Sequence, residues 1–370
     1  MASTLMPLII NMKNTLDDLK FQQNLDTENL YSSITDLFLQ CQHAFQEVQL
    51  IKVTKKPIQN LIMSGMGGSG LAARVVESLY ADQLPVPLHR LNGYHLPIWA
   101  NEQTLVICSS YSGTTEETLQ TLKEAILKKC QILVICAGGE LEKLALKHHL
   151  SIYKINPKHN PSKQPRMAIG YSLIGQLALL SQVGLLKLSR TEVNSLKSIM
   201  TNVITHNHRE LPLFKNPAKK LATAMHPKQV VLVAGEHLTG AFHVTKNQMN
   251  ENAKQLSHRH DLSELNHHLM EGLRFPASNK KDVVFWLINS PLYSQRMQTR
   301  AVLTLDVINK NGLSAYEFVP QAKTKLAQVF EIIQFGALVN YYLSILNNLN
   351  PAAIPWVDYF KNKLGQPLGK

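Results

Sequence analysis

Three short runs constrain this chain more than any other feature. TLVIC (104–108) and ILVIC (132–136) are almost wholly apolar, and QNLIMS (59–64) has an apolar centre at Leu61–Met63. Each is followed by a cluster of turn residues and then by a stretch with helical apolar spacing. Strands that alternate with helices predict a parallel sheet covered by helices on both faces. Leu84–Leu88 and Leu150–Ile155 are two further candidate strands, and Met167–Leu186 is a long apolar helix closing the unit. Residues 13–48 precede it with spacing that predicts two helices.

The plan then partly repeats. Residues 191–226 read as helical, QVVLV (229–233), VVFWLI (283–288) and 316–319 as strands, and Leu326–Leu346 as a second long apolar helix. At 370 residues the chain has room for two such α/β units, each about 140 residues long. The apolar runs fall short of the roughly 18 residues that span a bilayer, so no membrane segment is expected. Leu5–Ile10 lacks a basic leader and a cleavage site, which predicts no signal peptide and a cytoplasmic protein. Cysteines at 41, 108, 130 and 136 form no CxxC pair, arguing against a zinc ribbon or a disulfide scaffold. The net charge of +12 suggests an anionic partner without choosing between nucleic acid, lipid and phosphorylated metabolites.

Two loops are candidate phosphate cradles. GMGGSG (65–70) follows a strand and opens a helix, as a dinucleotide fingerprint requires. The acidic residue expected about 20 positions later is missing, although Arg90 could suit a 2′-phosphate, so an NADP-dependent oxidoreductase stays open. SSYSGTTEET (109–118) sets five hydroxyls around one strand-to-helix turn. Hydroxyls and free N–H groups at a helix N-terminus suit a phosphate monoester. No P-loop lysine is present, which disfavours triphosphate chemistry. Glu116 and Glu117 would repel a phosphate if aimed at it. The pairs His206-x-His208 and His258-x-His260 lack cysteine partners, and no metal site is expected. No helix-turn-helix, RNP or Cys/His module supports nucleic-acid binding.

In these loops, and in NGYHLP (92–97), AGGELEKLA (137–145), QPRMAIGY (164–171), NQMNENAK (247–254) and ELNHHLMEG (264–272), the chain resembles the sugar isomerase (SIS) domain family. Within it, the chain is similar to the bifunctional phosphoglucose/phosphomannose isomerases. The resemblance implies an α/β fold of two SIS domains, each a mainly parallel sheet flanked by helices in a flavodoxin-like three-layer sandwich. The implied division is N-terminal helices 1–48, a first SIS domain 49–190, a helical linker 191–218, a second SIS domain 219–350 and a C-terminal helix 351–370. It also implies aldose–ketose isomerisation of phosphorylated hexoses without metal or organic cofactor, by a homodimer.

Carried over by position, Ser110, Ser112 and Thr115 bind the substrate phosphate, with Gly68 and Ser69 on the adjoining loop. Glu251 is the implied base, Arg166 the cation facing the intermediate, and His267 a histidine supplied across the dimer interface. Lys361 is the implied C-terminal lysine, with Lys363 the contender. The chain departs from the family pattern at Thr114, where asparagine is usual, at Ala73-Arg74 for Gly-Asp, and at His268 for the second asparagine of NHN. Because SIS domains also serve as ligand-binding modules, a non-catalytic phosphosugar-binding protein is the other alternative.

Overall fold

The computed structural model describes residues 15–365; the Leu5–Ile10 patch lies outside them. The described part opens with helices α1 (Leu19–Leu25), α2 (Leu30–Thr35) and α3 (Leu37–Val48), more pieces than the two helices expected over 13–48. Asp26 splits the first from the second: its carboxylate accepts the N–H groups of Leu30 and Tyr31.

The first sheet contains β1 (Asn60–Ser64), β2 (Leu88–Leu91), β3 (Thr104–Ser109), β4 (Gln131–Cys136) and β5 (Ser151–Lys154). They run parallel in the order β2-β1-β3-β4-β5. Helices α4 (Gly67–Leu79), α5 (Glu116–Leu127), α6 (Gly139–Lys147) and α7 (Ile169–Gln182) connect and cover it. The second sheet follows α8 (Arg190–Asn207) and α9 (Pro217–Met225). It contains β6 (Gln229–Ala234), β7 (Ser257–Asp261), β8 (Val283–Ile288) and β9 (Ser314–Phe318), parallel in the order β7-β6-β8-β9. Its helices are α10 (Thr239–Gln248), α11 (Gln295–Lys310) and α12 (Lys325–Leu346), and α13 (Pro355–Leu364) ends the described chain.

Alternation along the strands explains the layering. Leu61, Met63, Leu105, Ile107, Leu133 and Ile135 face a central core, and Val230, Leu232, Val284 and Trp286 of the other sheet join that same core. The intervening residues, Ile62, Val106 and Val134 on one side and Val231, Val233 and Phe285 on the other, pack under separate outer layers. Both faces of each sheet are thus buried, as continuous apolar strands require. Gly240 shows how tightly the central helices pack: a Cβ there would lie 2.4 Å from the Arg74 carbonyl oxygen of α4.

The structure corrects two expectations and adds two observations. Residues 84–87 are not strand; β2 begins at Leu88. Pro85 and Pro87 have no N–H to donate to a ladder, and Pro87 contributes only its carbonyl, which accepts from Leu61. The 191–226 helix is broken at 208–216, where Pro212 and the Asn216 cap start α9 afresh. The strand SHRHD (β7) escaped notice because it is polar and lies at a sheet edge. Finally, α12 is long and apolar enough by composition to cross a membrane, with mean hydropathy 1.5. In the fold 94% of that window is buried, so α12 is a core helix of the central layer.

Candidate active site

The order 2-1-3 places a topological switch between β1 and β3, and open α/β sheets bind ligands at the carboxyl ends of such strands. The two loops singled out in the sequence leave from those ends. Ser69 and Tyr111 join them: the Tyr111 N–H donates to Ser69 Oγ at 2.8 Å. Inside the hydroxyl-rich loop Ser110 Oγ pairs with Thr115 Oγ1 at 2.8 Å, and Ser112 Oγ with Thr114 Oγ1 at 3.0 Å. Ser110 is buried; Ser112 and Thr114 are exposed. Thr115 is the N-cap of α5 yet makes no side-chain cap bond, so no capping side chain occupies the first-turn N–H groups. The Glu116 carboxylate, a potential source of repulsion, is engaged by the Tyr94 hydroxyl. Gly113 has φ +69°, and a Cβ there would lie 1.8 Å from the Gly138 carbonyl oxygen. The 137–141 turn therefore braces the loop from behind, through Ala137 N–H to Tyr111 O and Leu141 N–H to Gly113 O.

Gly68 ties this cradle to the next component. A Cβ at position 68 would meet Arg166 N at 2.6 Å and Pro165 C at 2.7 Å, both backbone atoms that cannot swing aside. Gly68→Ala is therefore expected to separate the cradle from Arg166, lowering kcat/KM and costing about 1–3 kcal/mol of stability. Steady-state kinetics and thermal melting check this; wild-type values in both would mean that the contact is unimportant.

Arg166 is 1% exposed. Its Nη2 donates to the carbonyls of Pro351 (3.0 Å) and Ala352 (2.8 Å), Nη1 to Gln164 Oε1 (2.8 Å), and Nε to Asn252 Oδ1. Nη1 also lies 3.5 Å from Glu251 Oε2. With its N–H groups so engaged, Arg166 acts on its surroundings mainly as a fixed charge. Burial lowers its pKa, although a guanidinium remains protonated.

Glu251 sits where α10 widens into a π-type turn, Met249–Ala253, which ends in the left-handed Lys254 (φ 52°). Such turns re-aim side chains and recur at functional sites. Burial pushes the Glu251 carboxyl above its usual value of 4.5, against the pull of Arg166, Lys361, Lys246 and Lys254. A carboxylate with a raised pKa is a stronger base than a free one. Lys254 is pushed down to about 8, first by burial and then by Arg166, while its Nζ donates to the carbonyls of Asn252 and Asn350.

The sequence-derived residues thus fall into a connected set and an outlier. Ser69, Ser110, Ser112 and Thr115 share the cradle, Gly68 joins it to Arg166, and Arg166 meets Glu251. Lys361, exposed on α13, acts on Glu251 through its charge. His267 stands apart: it is exposed in the turn after Leu262–Leu265, and its backbone N–H bonds to the Glu264 carbonyl. Sequence reasoning missed Gln164, Asn252 and Lys254, whose signal lay inside the quoted QPRM and NENAK stretches. It also missed Asn160, which donates to both the Tyr111 hydroxyl (3.2 Å) and the Gln164 carbonyl (3.1 Å). Arg90, the candidate for a dinucleotide 2′-phosphate, donates instead to Glu77 at 2.6 Å. The four cysteines are free and buried. Among the described residues no group of three or more His, Cys, Asp or Glu side chains could hold a metal.

Residues 214–364 match the bacterial phospho-glucose isomerase C-terminal SIS domain. A bifunctional phosphoglucose/phosphomannose isomerase of Caldicellulosiruptor bescii is 28% identical over 344 residues, covering 91% of this chain and 99% of the relative. One from Thermoplasma acidophilum is 26% identical, covering 82% and 89%. A crystal structure of a hypothetical protein from Thermus thermophilus shares the fold at TM-score 0.67 and 17% identity, over 98% of this chain and 96% of that one. Residues 214–364 thus resemble the bacterial phospho-glucose isomerase C-terminal SIS domain, and along most of its length the chain is similar to the bifunctional phosphoglucose/phosphomannose isomerases.

Proposed function

We propose that this protein is an aldose–ketose isomerase that interconverts glucose 6-phosphate, and mannose 6-phosphate, with fructose 6-phosphate. The observation that carries the reading is the Arg166–Glu251 pair beside a hydroxyl-lined cradle at the switch point. In this reading the first SIS unit spans 49–190 and the second 219–350, and the enzyme works in the cytoplasm. Ser110, Ser112 and Thr115, with Gly68 and Ser69, hold the phosphate, which fixes the far end of the sugar. Lys361 and His267 assist ring opening by proton transfer to and from the ring oxygen and the anomeric hydroxyl. The Glu251 carboxylate then takes the proton from C2 of the open aldose, and the electrons form a cis-enediolate. The same carboxyl returns the proton to C1 while the O2 hydroxyl proton passes to O1, so C1 is reduced and C2 oxidised within one molecule and no external oxidant is needed. The Arg166 charge stabilises the enediolate and keeps Glu251 ionised.

A coupled assay on the three hexose phosphates tests the reading. Formation of fructose 6-phosphate from the aldoses is expected. No isomerisation by the wild-type protein would overturn the enzyme and leave a phosphosugar-binding protein.

The exposure of His267 supports its service to a second copy of the chain. So does α13, which has no buried residue and exposes Trp356, Tyr359 and Phe360 by 79%, 58% and 61%, an apolar surface suited to an interface. In a two-fold dimer of this kind, mixing inactive Glu251→Gln and inactive His267→Ala chains leaves one intact site per mixed dimer. Re-association is expected to restore about a quarter of wild-type activity, given random pairing of the two chains. No recovery would place His267 in the same subunit's site or outside the chemistry.

A further inference from the structure

A second concentration of positive charge lies where the edge strands of the two sheets, β2 and β7, flank the packed helices α4 and α10. Helix α4 brings Arg74, β2 brings Arg90, α10 brings His243 and Lys246, and β7 brings Arg259 between His258 and His260. A cavity of about 260 Å³ opens between α10 and β7, lined by His243, Lys246, Ser257 and residues 258–260. The nearby carboxylates are largely committed: Glu77 pairs with Arg90, and Asp261 with Arg259. Among the described residues Arg74, His243 and Lys246 form no ion pair. Burial first, and then Arg90 and Arg259, lowers the Arg74 pKa against the pull of Glu77. Burial first, and then Arg74 and Arg259, lowers that of Lys246 against the pull of Glu251. Burial and the combined field of Arg74, Lys246, Arg259 and Arg90 hold the His243 imidazole down to about 3.

Charges that merely protect a sheet edge stand out in water. These are half-buried and act on one imidazole from four elements of the fold, an arrangement that costs stability unless an anion completes it. We propose that this cleft is a second anion site, which takes a small phosphate-bearing ligand of diphosphate or phosphate-ester size, separate from the hydroxyl-lined cradle. Guanidinium and ammonium groups are the natural partners of phosphate oxygens. The cavity is an open depression lined by only six residues, a size that favours a small anion over a polymer. The proposal does not depend on the isomerase reading.

Calorimetric titration of the full chain with pyrophosphate tests it. Two sites per chain are expected for wild type and one for Ser110→Ala/Thr115→Ala, which disables the cradle. Adding Lys246→Gln and Arg259→Gln, both lining the cavity, to that variant should weaken the remaining site at least tenfold, with thermal melting confirming the fold. The His243 Cε1–H resonance of the wild-type protein gives a readout independent of these variants. Pyrophosphate should shift it and raise its pKa, because the bound anion offsets the surrounding cations. A single site abolished by the cradle variant, affinity unchanged by the glutamine substitutions, or a His243 resonance that does not respond would each overturn the proposal.

Discussion

Glu251→Gln is expected to lower kcat by about two to four orders of magnitude, the usual contribution of a positioned general base, with KM for the phosphosugar little changed. The amide fits the same turn and keeps a polar group beside Arg166, but it cannot take a proton from carbon. The proposed phosphate cradle is untouched. The wild-type pH profile gives a second measurement. Burial raises the Glu251 pKa above 4.5; below that raised value the carboxyl holds its own proton and cannot accept one from C2. Activity should therefore fall with decreasing pH along a limb centred above the ordinary glutamate range, and this limb should be absent from the residual activity of the Gln variant. A Gln variant within threefold of wild type would remove Glu251 as the base.

Arg166→Met is expected to cost about 3–5 kcal/mol of stability, the scale of breaking a buried charged pair. It leaves Asn252 Oδ1, Gln164 Oε1 and the carbonyls of Pro351 and Ala352 without their donor, and buried acceptors without donors are costly. It also removes the foremost charge opposing the rise of the Glu251 pKa. That pKa then climbs further, and the acid limb of the activity profile moves to higher pH. Arg166→Lys separates the two effects. An ammonium retains the charge but cannot span four acceptors as a planar fork does. It should lose much of the stability while leaving the acid limb near its wild-type position. Chemical denaturation and pH–rate profiles measure both quantities. A Met variant with wild-type stability and an unmoved limb would show that Arg166 neither supports Glu251 nor holds the 350–352 segment.

The loop lysine points the same way. Lys254 donates to the Asn350 carbonyl one residue before the two carbonyls held by Arg166. Together they fix the backbone that leads into α13, and so the distance from Lys361 to Glu251. Asn350 is itself anchored to the N-terminal helices, donating to Glu28 at 2.9 Å and Thr27 at 3.1 Å. Four stretches far apart in the chain are thereby tied together around the turn that carries Glu251.

The division between what was legible and what was not follows the range of the forces involved. Strand runs, the cradle turns and the repeated α/β plan are local patterns: burial on both faces leaves continuous apolar runs at TLVIC and ILVIC, and a strand-to-helix turn leaves glycines and hydroxyls. The polar edge strand β7 left no such trace, because half of its surface faces solvent and periodicity has nothing to record. The resemblance of the motifs supplied Glu251, Arg166 and Lys361 by position, but not what each touches. Only the tertiary structure showed Arg166 wholly buried with its donors spent on backbone and side-chain acceptors, Glu251 raised by desolvation, His267 facing outward and the half-buried cations meeting between the two sheets. Those properties are sums over neighbours 80 to more than 300 residues away in sequence, fixed only when the two sheets close over their common core. The sequence by itself determined the architecture and the types of chemistry available; the packing decided which charges meet, which are desolvated and which still lack a partner.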